Sequence, residues 1–317
     1  MESAPAMLSS KETAAITSRV ASLSVLVALF LIALKAWAYW QSQSVALLAS
    51  LADSTLDVAA SVITFLAVRY AAAPPDSKHR FGHGKAEAFA GIVQAGFVGA
   101  SCIFVTYEAA KHFMAPHPIA NGEGGLAVMV VSIIATGALI YVQTRALKKT
   151  GSIATKGDRA HYASDLASNA VAMIGIGAGA FLELTWLDAA AGILIAAWLA
   201  FGAAKIAKEA ADHLLDRELP EEDRARIKAL ALEEGGIRAV HEFRSRASGN
   251  YIHVQFHAEV NAKLSLLEAH KVIVAAEQRI RAAYPQADIL IHPDPGNAAE
   301  PHGHEDFEEG RIAATRG

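Results

Sequence analysis

Between residues 18 and 213 the chain returns six times to apolar runs, at about 18–40, 44–72, 86–113, 123–147, 158–184 and 187–213. Crossing about 30 Å of hydrocarbon takes roughly 20 apolar residues in a helix. A helix also satisfies its own peptide hydrogen bonds where no water can. The pattern therefore predicts an α-helical membrane bundle of six transmembrane helices over 18–213. The polar segment 1–17, with Ser9, Ser10, Lys11, Glu12 and Thr13, lacks a cleavable-signal pattern, so the first run is expected to remain as an anchor. After 213 the composition becomes that of an ordinary soluble domain, expected at 214–295, with a disordered tail at 296–317 that carries His302 and His304. A 53% hydrophobic content in 317 residues exceeds the usual globular share, and the excess lies in the first unit. A net charge of -4 leaves no nucleic-acid footprint. The single cysteine, Cys102, excludes a disulfide framework and a cysteine-based zinc site.

Basic residues orient the bundle. The connection after the second run holds Arg69, Lys78, Arg80 and Lys85, and the one after the fourth holds Arg145, Lys148, Lys149, Lys156 and Arg159. The first and fifth connections have no Lys or Arg, and the third has only Lys111 near a span end. The even connections are therefore expected in the cytoplasm, together with both termini.

Two helical spans carry charge at helical spacing. The second contains Asp53 and Asp57, in Leu-Ala-Asp-Ser-Thr-Leu-Asp, and the fifth contains His161 and Asp165, in His-Tyr-Ala-Ser-Asp. Each pair is spaced i, i+4 and so shares a helix face, with side chains about 6 Å apart. A carboxylate at mid-membrane costs about 2.5–3.5 kcal/mol on insertion scales, and the four groups together cost roughly 10 kcal/mol if uncompensated. A dication offsets that cost, and one nitrogen with three oxygens suits a tetrahedral, zinc-type site. Lys35 in the first span reads as a side chain that snorkels to the interface. Gly91, Gly99, Gly175 and Gly179 read as points of close helix approach.

In the soluble part, Pro220-Glu221-Glu222-Asp223 opens a helix with an acidic first turn. Residues 250–260 alternate, with Ile252, Val254 and Phe256 on one face and Tyr251, His253, Gln255 and His257 on the other. A helix over 264–284 and a strand over 287–292 follow. The order α-β-β-α-β is that of an α+β sandwich. His241, His257, His270, His292 and Asp294 fall within about 80 residues of one small fold, a density that suits a metal site.

These features together resemble the cation diffusion facilitator family, in particular its bacterial proton-coupled zinc and iron efflux branch. The resemblance rests on the two intramembrane pairs and on Phe-Gly-His-Gly-Lys-Ala-Glu at 81–87. It also rests on Leu-Leu-Asp-Arg at 214–217 and Ile-His-Pro-Asp-Pro at 291–295, and it covers nearly the whole chain. It implies a metallochaperone-like cytoplasmic domain and Asp53, Asp57, His161 and Asp165 as transport ligands. It further implies a loop site at Asp76, His79 and His83, and zinc ligands His241, His257, His270, His292 and Asp294 bridging a homodimer. Lys85 and Asp216 match a pair that locks that dimer. A surface ion pair alone contributes under about 1 kcal/mol, so any lock needs burial or a network.

The expected activity is export of a divalent metal, zinc first and cadmium or iron(II) next, from a bacterial inner membrane in exchange for protons. An iron(II)- or manganese-preferring exporter is the nearest alternative, and a membrane metallohydrolase or metal sensor the more distant ones. A hydrolase needs an open metal position and a neighbouring general base. No Gly-x-x-x-x-Gly-Lys-Ser/Thr run appears, which argues against a self-contained ATP-driven pump.

Overall fold

The computed structural model describes residues 8–42, 45–114, 123–182, 185–233, 235–249 and 251–296. Within these, the side chains of 42, 45–50, 52–53, 108, 112–114, 123–126, 168, 171–182 and 185–192 are not described. The chain divides into two compact units, Thr13–Leu214 and Met1–Glu12 with Leu215–Gly317.

The first unit is built from six long helices: α1 Ser10–Ser42, α2 Val45–Ala71, α3 Lys85–Met114, α4 Glu123–Thr150, α5 Ile153–Leu182 and α6 Thr185–Leu214. Among the described residues, α1 to α4 each carry a stretch long and apolar enough to cross a membrane. Helix α1 starts well before its apolar run because Ser9 and Glu12 form a capping box. Ser9 N donates to Glu12 Oε2 at 2.9 Å and Glu12 N to Ser9 Oγ at 3.3 Å. Large apolar side chains such as Phe30, Trp37, Phe104, Ile134, Trp198 and Phe201 are exposed, as suits helices whose outer surface meets lipid.

Helix α3 packs on α6 through Ala95, Val98 and Cys102 against Ala196, Leu199, Ala203 and Ile206. It meets α5 where both helices carry glycine. A Cβ at Gly91 would lie 2.6 Å from Ile153 Cγ2, and one at Gly157 would lie 2.8 Å from Gln94 Cβ. Gly91 thus has the close-approach role expected of it, and Gly157 shares it. Gly99 does not, since a Cβ there meets nothing within 4 Å. Gly175 and Gly179 lie among the side chains that are not described.

The second unit runs α7 Glu221–Leu232, β1 Ile237–Ser248, β2 Tyr251–Val260, α8 Leu266–Ala283 and β3 Ala287–Pro295, the α-β-β-α-β order read from the sequence. The sheet order is β1-β2-β3, with β1 and β2 antiparallel and β2 and β3 parallel. Helix α8 begins at a capping box of Ser265 and Glu268. It buries Ala269, Ile273, Ala276 and Ile280, a stripe at 3.6-residue period, against Val254, Phe256 and Ala258 of β2. The Tyr284 hydroxyl donates to Asp223 Oδ1 at 2.9 Å, tying the end of α8 to the first turn of α7. Burial, then this bond, pushes the Tyr284 phenol up to about 12.

Candidate metal centres

The buried face of α2 is polar. Ser54, Asp57, Ser61 and Thr64 recur at intervals of three and four residues and are almost fully buried. Each meets a different neighbour. Lys35 Nζ of α1 donates to Ser54 Oγ at 2.6 Å, and Gln94 Nε2 of α3 donates to Thr64 Oγ1 at 2.7 Å. Ser61 Oγ and the Tyr162 hydroxyl of α5 are 2.7 Å apart. His161 Nε2 of α5 lies 3.2 Å from Asp57 Oδ1. Lys35 therefore does not snorkel: it is buried, and its ammonium is bonded to Ser54 of α2 inside the bundle.

Asp57, His161 and Asp165 form one group whose donor atoms all lie within 4.8 Å of one another. His161 Nε2 is also 3.8 Å from Asp165 Oδ2, so one ring nitrogen faces two carboxylates from two helices. The His161 side chain is 4% exposed and that of Asp57 9%. Nitrogen and oxygen donors converging out of water are a chemistry that a proton or a dication can satisfy, and the two compete for the same lone pairs. Asp53 lies on α2 one turn before Asp57, and its side chain is outside the described residues. Behind His161, Asp158 of α5 is also buried, and Gln143 Nε2 of α4 donates to its Oδ2 at 2.8 Å. The sequence reading missed that carboxylate, although it stands one helical turn before His161.

Between α2 and α3, Asp76, His79 and His83 form a second group of the same compactness. His79 Nδ1 and His83 Nε2 each lie 3.3 Å from an Asp76 oxygen. The backbone N–H of His79, then that of Lys78, donate to Asp76 Oδ1 and hold its carboxyl below the usual carboxylate range. The His83 ring is buried against Tyr70, with ring centroids 4.5 Å apart.

In the soluble unit the register of the sheet makes the third group. His241 pairs with His257, and His257 pairs with His292, so three histidines from three strands stand in one row. Asp294, two residues past His292 and therefore on the same face, is buried in the middle of them. Its Oδ2 is 3.2 Å from His241 Nε2 and 3.0 Å from His257 Nδ1, and its Oδ1 is 3.3 Å from His292 Nε2. Both oxygens are thus directed at histidine nitrogens, a donor set that fits zinc on one side or on both. His241, His257 and Asp294 have donor atoms within 4.8 Å of one another. His270 lies on the exposed side of α8, outside that group. His253, on the same strand as His257, faces Asp288 instead, at 3.1 Å. One further carboxylate borders the row unforeseen: Glu242 Oε2 is 3.5 Å from His257 Nε2.

Of the remaining pair, Lys85 donates to the Leu214 carbonyl at 3.1 Å within the first unit, and Asp216 accepts from Arg246 at 3.1 Å within the second. The two residues belong to different units.

Comparison with known proteins agrees with this layout. Residues 21–215 match the cation efflux transmembrane domain, and residues 219–296 match the cation efflux protein cytoplasmic domain. The cation-efflux pump FieF of Shewanella oneidensis is 39% identical over 272 residues, 86% of this chain and 92% of that protein. The cation-efflux pump FieF of Pectobacterium atrosepticum is 36% identical over 288 residues, 91% of this chain and 94% of its own length. A solved chain described as the zinc form of CzrB is 28% identical and covers 27% of this chain and 99% of its own, at a TM-score of 0.25. With a helical transmembrane domain, a small three-stranded C-terminal domain and family matches across both, this chain belongs to the cation efflux, or cation diffusion facilitator, family of divalent-cation transporters.

Proposed function

We propose that the protein exports zinc from the bacterial cytoplasm across the inner membrane in exchange for protons. The observation that carries this reading is the buried convergence of Asp57, His161 and Asp165 from two membrane helices. Asp53 completes the tetrad from the next turn of α2. An imidazole with three carboxylates favours zinc or cadmium over manganese, and the affinity order at a common nitrogen-oxygen site does the same. Ligands must be deprotonated to hold the ion, so protons arriving from outside expel it. His161 is the coupling group, because histidine ordinarily titrates near neutrality. Six spans would keep both termini and the soluble domain on one side, and the basic even-numbered connections support the cytoplasm as that side.

Asp76, His79 and His83 form a water-accessible loading site on the cytoplasmic side. In the soluble domain at 214–295, His241, His257, His292 and Asp294 hold resident zinc, with His270 completing the site at a homodimer interface. Lys85 and Asp216 reinforce that dimer. The domain thereby responds to cytoplasmic zinc while the membrane domain of 18–213 moves it.

The test is metal-resolved uptake by the purified full chain in proteoliposomes with an imposed pH gradient, using zinc, cadmium, iron(II) and manganese. The expected result is zinc and cadmium flux that follows the proton gradient and collapses when the gradient is removed. Flux indifferent to the gradient would sink the antiport, and manganese preferred over zinc would sink the metal assignment.

A further inference from the structure

The pairing of β1 with β2 slips between His241 and Arg244, so that Glu242 and Phe243 together stand opposite Phe256. This is a β-bulge, in which one extra residue re-aims the side chains around it. In a regular strand successive side chains alternate faces. With His241 on the metal-site face, Glu242 would then enter the core and Phe243 would join the histidines. The bulge reverses both. Phe243 is buried in the core and stacks on Phe256 with ring centroids 5.9 Å apart. Glu242 comes round to the histidine row, and its backbone takes φ +50 to do so. That left-handed conformation costs a residue with a Cβ roughly 1–2 kcal/mol. Such strain persists where the surroundings over-determine it, most often at functional sites.

The displaced carboxylate is not solvated. The Glu242 side chain is 8% exposed, and its Oε2 is buried without a hydrogen-bond partner among the described residues. Two groups stand near that oxygen: His257 Nε2 at 3.5 Å and the Arg244 guanidinium at 4.0 Å. A cleft of about 90 Å³ adjoins them, lined also by Gln255 and His292. The opposite nitrogen of the same ring, His257 Nδ1, is 3.0 Å from Asp294 Oδ2. His257 therefore lies between two carboxylates, one belonging to the metal group and one outside it.

We propose that Glu242 is the positioning carboxylate of this site: with zinc held by the row, it accepts the Nε2 proton of His257, 3.5 Å away in this structure, and thereby fixes the tautomer that turns the Nδ1 lone pair toward His241 and Asp294. A neutral imidazole has one N–H and one lone pair, so engaging the proton at Nε2 decides which nitrogen is left to ligate. Outer carboxylates that hold a ligating histidine in this way are commonly worth 10–100-fold in metal affinity. The inference rests on the resident-zinc reading of the histidine row.

The test uses the full chain in detergent with Asp57→Ala, Asp165→Ala and Asp76→Ala, which leaves the soluble domain as the main zinc site. Histidine ring resonances, labelled with 13C and 15N, report whether His257 binds zinc through Nδ1 or Nε2. The probe variant is Glu242→Gly, because glycine accepts a positive φ and removes only the side chain. The expected results are Nδ1 coordination in the parent and a 10–100-fold loss of zinc affinity in Glu242→Gly, with unchanged stoichiometry and mixed ring coordination. Glu242→Gln, whose amide oxygen still accepts the Nε2 proton, should recover most of the affinity. Unchanged affinity and tautomer in Glu242→Gly overturn the proposal. So does loss of a whole zinc equivalent with Nδ1 coordination retained, which makes Glu242 a ligand in its own right. Histidine resonances in the parent that ignore zinc would overturn the zinc site itself, a result separable from the other two.

Discussion

The candidate metal groups of the helical unit and of the C-terminal unit use similar side chains but assemble them by different geometry. In the helical unit, Asp57 comes from one helix and His161 and Asp165 from one face of another, so helical period supplies two of the three side chains before any packing occurs. In the C-terminal unit, among the described residues, β3 alone brings two members of the group from one strand, His292 and Asp294, and the group forms because the strand register aligns His241, His257 and His292. A site shared between two rigid helices changes when the helices shift. A site written across a hydrogen-bonded sheet changes only if the ladder breaks. The first suits an ion that must leave, and the second suits one that stays.

The largest expected effect falls on the mobile site. Asp57→Ala or Asp165→Ala should reduce zinc flux in proteoliposomes to that of protein-free vesicles, with the fold intact by circular dichroism. Normal flux in either variant would remove the tetrad from the mechanism. His161→Asp sharpens the same point. An all-carboxylate site is harder and loses the imidazole preference, so zinc and cadmium should fall toward parity with manganese. The pH dependence of transport should shift as well, since carboxylates ordinarily titrate near pH ~4. Competitive uptake of the three metals at several pH values reads both effects.

For the static site, His257→Ala with His292→Ala should lower zinc content per protomer and weaken dimerisation, while the membrane group keeps its metal. Elemental analysis and concentration-dependent sedimentation measure these, and an unchanged zinc content would argue that the row is merely structural. The smallest effect concerns the frame that holds the row. Ser265→Ala removes the cap of α8 and should cost about 1 kcal/mol. That corresponds to roughly fivefold faster amide exchange where α8 opens locally. The Ser265 backbone N–H, then its hydroxyl, hold the Glu268 carboxyl below the usual range. Its contribution is therefore present at neutral pH and disappears as pH falls through the acid range, so the difference between the two proteins should narrow there.

How much of this was legible beforehand follows the same division. Asp57, His161 and Asp165 were readable because a four-residue interval on a helix is already a statement about shared faces. The α-β-β-α-β order was readable from alternation at 250–260 and the acidic start at Glu221. The histidines of the soluble domain were visible as residues, but their alignment depends on pairing register, which no local interval encodes. Glu242 was hidden for a sharper reason: strict alternation assigns it to the wrong face, and only the bulge corrects it. Lys35 misled because a lone lysine in an apolar run looks alike whether it reaches for the interface or for Ser54 Oγ on a neighbouring helix.

The polar stripe of α2 bears on how the protein moves. Were that face leucine and alanine, α2 could creep past its neighbours by fractions of an ångström at little cost, as an oiled bearing does. Instead Ser54, Asp57, Ser61 and Thr64 are held by side chains from α1, α5 and α3. A small slide stretches all four contacts at once and leaves dry polar atoms behind, each at a cost of about 1–3 kcal/mol. Intermediate positions are thereby penalised, and α2 behaves as a detent that clicks between settings. In a transporter, such a latch keeps the pathway from standing half open to both sides.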